Sequence, residues 1–241
     1  MNLTPGMTWD WCLTGPIDTT VDAQVFITDA FDTTPAQVAA IRAKGAQPFC
    51  YISAGSWEGW RADKAAFPTA MLGNVLGDWP GEHYLDIREW RKLADLMGAR
   101  VLMAKAKGFT GVEFDNVDTY SHVSGFPLTP QNQWDYCRLL AAIAHKQRMV
   151  VGLKNNLLMI RANARLGTPA LLPYFDFALG ERLFENDEDG YVMPFTDAKK
   201  PVFACEYTDI TKWCPGAKKM GISLLQKPED GIVTSWRRVC G

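Results

Sequence analysis

Residues 111–118, Gly-Val-Glu-Phe-Asp-Asn-Val-Asp, run a short apolar strand pattern directly into carboxylates and an amide. A carboxylate at the end of a buried strand costs several kcal/mol unless it is paired or put to use, which makes Asp115 the first catalytic candidate. The same pattern recurs in segments that end at Asp29, Ser53, Asn155, Glu181 and Glu206. If these are strands of one closed sheet, Asp29, Tyr51, Asp115, Asn116, Lys154, Asn155, Glu181 and Glu206 face one mouth. Carboxylates gathered in one cleft push each other's pKa values apart, leaving one protonated and another ionised. Cleavage of a glycosidic bond uses such a pair, one as acid and one as nucleophile or base, and needs neither metal nor cofactor. Nine tryptophans and seven tyrosines supply flat rings of the kind that stack on sugars.

Plainer readings stand beside these. Asp118 also reads as a turn or capping acid. Lys154 reads as the ion-pair partner of Asp115 or Glu181, or alternatively as the Schiff-base lysine of an aldolase-like barrel. The run Glu185, Asp187, Glu188, Asp189 reads as a solvated loop. His83, His122 and His145 are scattered, so no metal centre is expected. Arg88, Arg91, Lys92, Arg237 and Arg238 read as surface charge.

The elements that must position these side chains are legible as apolar runs near residues 8–11, 24–29, 47–53, 111–115, 149–155, 175–181, 201–206 and 221–226. Most are continuous rather than alternating, as in parallel strands covered on both faces. Helices are expected between them. Thr34 and Pro35 open one that stops at Gly45, Asp86 and Glu89 have capping-box spacing before a stripe ending at Gly108, and Thr129 and Pro130 open a third. Strand and helix are expected to alternate throughout. Alternation over a chain of this length predicts an α/β fold, a single-domain (β/α)8 TIM barrel over residues 1–241, and no glycine-rich phosphate loop marks an open sheet instead. The connection 54–110 is long and rich in aromatics (Trp57, Trp60, Phe67, Trp79, Tyr84, Trp90) and is expected to wall the cleft.

Composition limits the partners. Of 241 residues, 47% are hydrophobic, and 25 basic against 27 acidic side chains give a net charge of -2, which offers no field for nucleic acid. No apolar run approaches the roughly 20 residues that span a bilayer, and the first residues do not read as a signal peptide. A soluble protein is expected, cytoplasmic or mature after removal of a leader. The six cysteines lack zinc spacing; Cys50, Cys137 and Cys205 read as buried, while Cys214 and Cys240 are free to bridge in a secreted chain.

Several blocks together resemble a known family. They are Cys-Tyr-Ile-Ser-Ala-Gly-Ser-Trp-Glu-Gly-Trp-Arg (50–61), Trp-Pro-Gly-Glu (79–82), Leu-Asp-Ile-Arg (85–88), the 111–120 block, Gly-Phe-Pro-Leu-Thr (125–129), Val-Gly-Leu-Lys-Asn (151–155) and Phe-Asp-Phe-Ala-Leu-Gly-Glu (175–181). In this order they are similar to glycoside hydrolase family 114. The resemblance implies a (β/α)8 barrel with endo-α-1,4-polygalactosaminidase activity on a cationic, galactosamine-containing polysaccharide. It places the catalytic pair on Asp115 and Glu181, with Asp115 expected as nucleophile or base and Glu181 as acid, and puts Asp29, Tyr51, Asn116, Lys154 and Glu206 around the substrate. A monomer is expected, without metal, cofactor, nucleic-acid or membrane partner, extracellular, with the cytoplasm as alternative. One departure stands out. The family's Asn-Glu-Gln-Cys, followed by a second cysteine, is here Gly180-Glu181-Arg182-Leu183, so the loop disulfide is missing and an altered sugar preference or lower activity is expected.

Overall fold

All eight expected strands form. In the computed structural model, which describes residues 3–77, 79–228, 230 and 232–240, they are β1 (Trp9–Cys12), β2 (Val25–Asp29), β3 (Gln47–Ser53), β4 (Gly111–Asp115), β5 (Val150–Lys154), β6 (Phe177–Glu181), β7 (Val202–Glu206) and β8 (Ile222–Gln226). They pair in sequence order, each parallel to the next. The curled sheet is a (β/α)8 barrel, and the register brings Asp29, Asp115, Lys154 and Glu181 to one end of it.

Among the described residues no backbone ladder joins β8 to β1, and the seam is closed by other means. The Trp9 indole donates to the Ser223 carbonyl at 2.9 Å, and the fully buried Lys227 and Asp10 pair at 3.0 Å. The Val233 carbonyl accepts from the amides of Leu13 (2.8 Å) and Thr14 (3.1 Å), so the C-terminal segment fills the gap. A disulfide between Cys214 and Cys240 then ties that segment to the helix Cys214–Met220. Closing a loop of 26 residues stabilises by about 3–4 kcal/mol in the chain-entropy account.

Alternation along each strand sorts the side chains into two layers. Trp9, Trp11, Val25, Ile27, Phe49, Phe177, Leu179, Phe203 and Cys205 point into the barrel, while Val112, Phe114, Val151, Leu153, Val202 and Ala204 face the surrounding helices. Phe49 and Phe177 stack at 5.2 Å across the barrel floor, and two glycines make room for them. A Cβ on Gly111 would lie 2.5 Å from the Phe49 ring, and one on Gly152 only 2.2 Å from the Phe177 ring. Gly152→Ala is therefore expected to cost about 1–3 kcal/mol by overpacking, read as a fall of several degrees in Tm.

The helices keep some expectations and correct others. Thr34 and Gln37 form a capping box with Pro35 at the first position of α1 (Pro35–Ala43), and Thr129 with Asn132 does the same for α3 (Pro130–Lys146). Asp86 and Glu89 do not make a capping box. Asp86 is engaged by the Arg88 guanidinium and backbone amide in a short 3-10 turn, and α2 (Trp90–Lys107) starts only after Glu89. Strict alternation also fails, because among the described residues no α-helix joins β1 to β2 or β5 to β6. Gly15 and Pro16 interrupt the first connection, and Gly167, Pro169 and Pro173 the second. The helices after β6 and β7, α4 (Met193–Asp197) and α5 (Cys214–Met220), are short. The 54–110 connection adds a small antiparallel sheet of residues 56–58, 82–85 and 72–75, which stands beside the mouth.

Candidate active site

Three neighbouring strands end in the same way. Asp115, Lys154 and Glu181 are the last residues of β4, β5 and β6, and the residue after each has a positive φ: Asn116 at 58°, Asn155 at 52° and Arg182 at 54°. A left-handed step turns the backbone off the strand axis immediately after the inward side chain. Asparagine tolerates this conformation better than most residues, whereas arginine is unusual there and marks a backbone held by its surroundings. Gly55 takes part in the turn after β4, since a Cβ there would overlap the Asn116 carbonyl at 1.6 Å.

Lys154 is the hub. Its side chain is 1% exposed, and its ammonium lies 3.1 Å from Glu113, 3.3 Å from Asp115 and 3.1 Å from Glu181, with the Trp11 ring at 4.5 Å. Burial works against its charge, but Asp115, Glu181 and Glu113 together hold its pKa well above the ordinary lysine value. Lys154 is therefore an ammonium and not the neutral amine that Schiff-base chemistry requires. Two of its partners reach solvent, Asp115 at 19% and Glu181 at 27% side-chain exposure, whereas Glu113 is fully buried and pushed up to about 7 by that burial.

Glu181 is the better-held carboxylate. The Tyr207 hydroxyl donates to its Oε1, the Asn155 amide donates to Oε2 at 2.9 Å, and its own backbone amide donates back to Asn155 Oδ1 at 3.0 Å. Burial pushes its pKa up, but Lys154, Tyr207 and Asn155 outweigh it and leave the group below the usual glutamate value. A Cβ at Gly180 would meet the Leu183 side chain at 2.7 Å, and the amide beside Glu181 comes from Asn155.

The cleft above these groups has a volume of about 840 Å³, and its lining includes Asp29, Tyr51, Asp115, Asn116, Lys154 and Glu181. Asp29 is saturated. Arg61 takes both of its oxygens, at 3.0 and 2.6 Å, and the amides of Phe31 and Asp32 donate to Oδ1, so Asp29 positions Arg61. Tyr51 keeps its proton, because burial and then Asp115 raise its pKa well above the phenol value. Asn116 starts a chain to Ser53 (2.9 Å), Ser56 (2.5 Å onward) and Glu82 (2.6 Å), and Glu82 is pushed up to about 7 chiefly by burial.

Glu206 is not on this surface. It shares the outward parity of Val202 and Ala204, is fully buried behind the barrel wall, and accepts from the Phe184 amide at 2.9 Å. It pins the loop after β6, with burial raising it to about 7. The inward neighbour Tyr207 occupies the place expected of Glu206. Parity with Phe203 and Cys205 was the signal for Tyr207, and parity with Asp115 the signal for Glu113. Arg61, Glu58 and Glu82, all within the cleft wall, come from a connection whose strands are too short to read by period. Trp60, Trp79 and Tyr84 line the cleft as expected of that wall, while Phe67 is buried in the core. His122, read as isolated, also lines the cleft, 3.4 Å from Asp118. No group of three or more His, Cys, Asp or Glu side chains could hold a metal among the described residues.

The cleft is acidic. Asp29, Asp32, Glu58, Glu82, Asp115, Asp118 and Glu181 face Lys154, Arg61 and Arg182, which leaves carboxylates in excess. Two solvent-reaching carboxylates facing one another at the mouth of a barrel, with aromatic walls, suit acid–base cleavage of a sugar chain.

Comparison with known proteins agrees. No curated protein matches the chain. The chain is similar to Aspergillus fumigatus Ega3, solved in complex with galactosamine, at 31% identity and a TM-score of 0.89 over 98% of this chain and 96% of that one. The glycoside hydrolase domain of PelA from Pseudomonas aeruginosa, at 13% identity and a TM-score of 0.71 over 98% of both chains, shares the fold. The sequence profile of Glycoside-hydrolase family GH114 matches residues 1–241. The chain thus belongs to glycoside hydrolase family GH114, and it is a glycoside hydrolase.

Proposed function

We propose that this enzyme cleaves α-1,4-linked, galactosamine-containing polysaccharide within the chain, with Asp115 as nucleophile and Glu181 as acid and then base. The observation that carries the substrate class is the excess of carboxylates in the cleft, which suits a sugar bearing a free ammonium group; the likeness to a protein solved with galactosamine supports it. Asp115 attacks the anomeric carbon as the glycosidic bond breaks, Glu181 gives its proton to the departing oxygen, and Glu181 then takes a proton from the water that releases the sugar from Asp115. The two carboxyl oxygens that touch Lys154, at 3.3 and 3.1 Å, lie at most about 6.4 Å apart. A retaining course is part of the proposal, and the anomeric configuration of the first-formed product tests it. Lys154, Asn116 and Tyr51 border the sugar, and Asp29 acts through Arg61. The Cys214–Cys240 disulfide supports a secreted enzyme, since such bonds persist in oxidising compartments.

Incubation with a panel of exopolysaccharides, followed by reducing-end assay and mass analysis, tests the reading. Fragments are expected from partly or fully de-N-acetylated galactosamine polymer, and their absence from that substrate overturns it. A second expectation concerns pH. Because Glu181 is held below the usual carboxylate range, its acid form grows as pH falls, so activity is expected to rise on the acid side of neutrality. Tyr207→Phe removes one donor to the ionised form, raises the Glu181 pKa and is expected to move that limb of the kcat/KM profile to higher pH. An unmoved limb would assign it to another group.

A further inference from the structure

A second cavity of about 350 Å³ opens on the other side of Glu181, within the size range of small-ligand pockets. Asp118, Tyr120, Leu158, Glu181, Glu188 and Tyr191 are among its lining residues, and Asp118, Asn155 and Glu181 also line the main cleft. Asp115 and Lys154 border the main cleft alone. The two cavities therefore meet at the carboxylate that is proposed to act as acid, and they are divided with respect to the nucleophile.

We infer that this second cavity is the leaving-group subsite, holding the cationic sugar that departs when the bond is cut. The inference rests on the functional reading above. An acid must face the oxygen it protonates, so the sugar attached through that oxygen lies on the side of Glu181 away from Asp115. The cavity has the chemistry for an amino sugar. Glu188 is partly exposed and makes no ion pair among the described residues, leaving its carboxylate available to an ammonium group. Asp118 is held at the junction by His122, and Tyr191, 49% exposed, offers an aromatic ring. Both Glu188 and Tyr191 come from the loop after β6, which Glu206 anchors from behind through the Phe184 amide and which departs from the family pattern at Arg182-Leu183. Of the acidic run of that loop, Glu188 is thus part of the substrate path.

The test compares two substrates, a galactosamine oligomer and an aryl α-galactosaminide whose leaving group is not a sugar. Glu188→Gln and Tyr191→Ala are expected to lower the ratio of kcat/KM for oligomer to that for aryl glycoside about tenfold, mainly through KM for the oligomer. Both side chains reach solvent, and an unchanged Tm checks that the fold is intact. Acetylating the amino group of the sugar on the leaving side is expected to weaken wild type more than Glu188→Gln. If both variants keep the wild-type ratio, the cavity is not a subsite and the inference falls while the functional reading stands. If wild type neither cleaves the oligomer nor binds it by calorimetry, the functional reading falls and takes the subsite with it.

Discussion

Asp115→Asn and Glu181→Gln are each expected to lower kcat/KM on galactosamine polymer by about 10³-fold, with the fold unchanged, because both carboxylates reach solvent and neither is a core residue. The two losses should differ on a substrate with a good leaving group. An aryl leaving group of low pKa departs without a proton, so Glu181→Gln keeps much of its rate of bond cleavage on that substrate, while Asp115→Asn loses the attacking oxygen and stays inactive on both. Azide gives a second discriminant: it should rescue Glu181→Ala with retained configuration at the anomeric carbon and Asp115→Ala with inverted configuration. An exchanged pattern would exchange the roles. That exchange is the informative alternative here, since Glu181 carries the donors that keep a carboxylate ionised. Losses below tenfold for both variants would sink the two-carboxylate mechanism.

Much of this site was readable because strand ends are a strong signal. Continuous apolar runs closing on a polar residue located Asp115 and Glu181 and, one residue before the Asn155 that ends its sequence run, Lys154, and the parallel ladder converted sequence distance into proximity. What failed was finer. Glu206 ends its strand as Glu181 does, but a one-residue change of parity sends its side chain to the helix layer, and only the register to β6 and β8 shows which face is inward. Arg61 and Glu82 were out of reach for a different reason. Glu82 stands on a small sheet in the 54–110 connection and Arg61 in the bend after its first strand, where strands of three or four residues give too few repeats to establish a period. The seam between β8 and β1 was equally hidden, because a buried Lys227–Asp10 pair and the Val233 carbonyl do the work expected of a backbone ladder.

Lys154→Met should be the most damaging single substitution to stability and activity together. The nearly isosteric side chain keeps the packing against Trp11 but removes the one charge that Glu113, Asp115 and Glu181 share. Leaving buried acids without their cation costs about 3–5 kcal/mol. The sign of its pH dependence separates this from a simple packing loss. Without Lys154 the pKa of Glu113, already about 7, rises further, and that of Glu181 rises with it. With Glu113 raised above the ordinary glutamate value, the folded state binds more protons than the unfolded chain between that value and the raised one, so stability falls as pH increases through that window. Urea unfolding is expected to show a larger deficit at pH 8 than at pH 5, where Glu113 is protonated with or without Lys154. Activity should not recover at pH 5 along with stability, since the ammonium that joins Asp115 to Glu181 stays absent at every pH. A deficit of equal size at both pH values would mean that Lys154 acts by volume and not by charge, and the electrostatic account of the site would have to be given up.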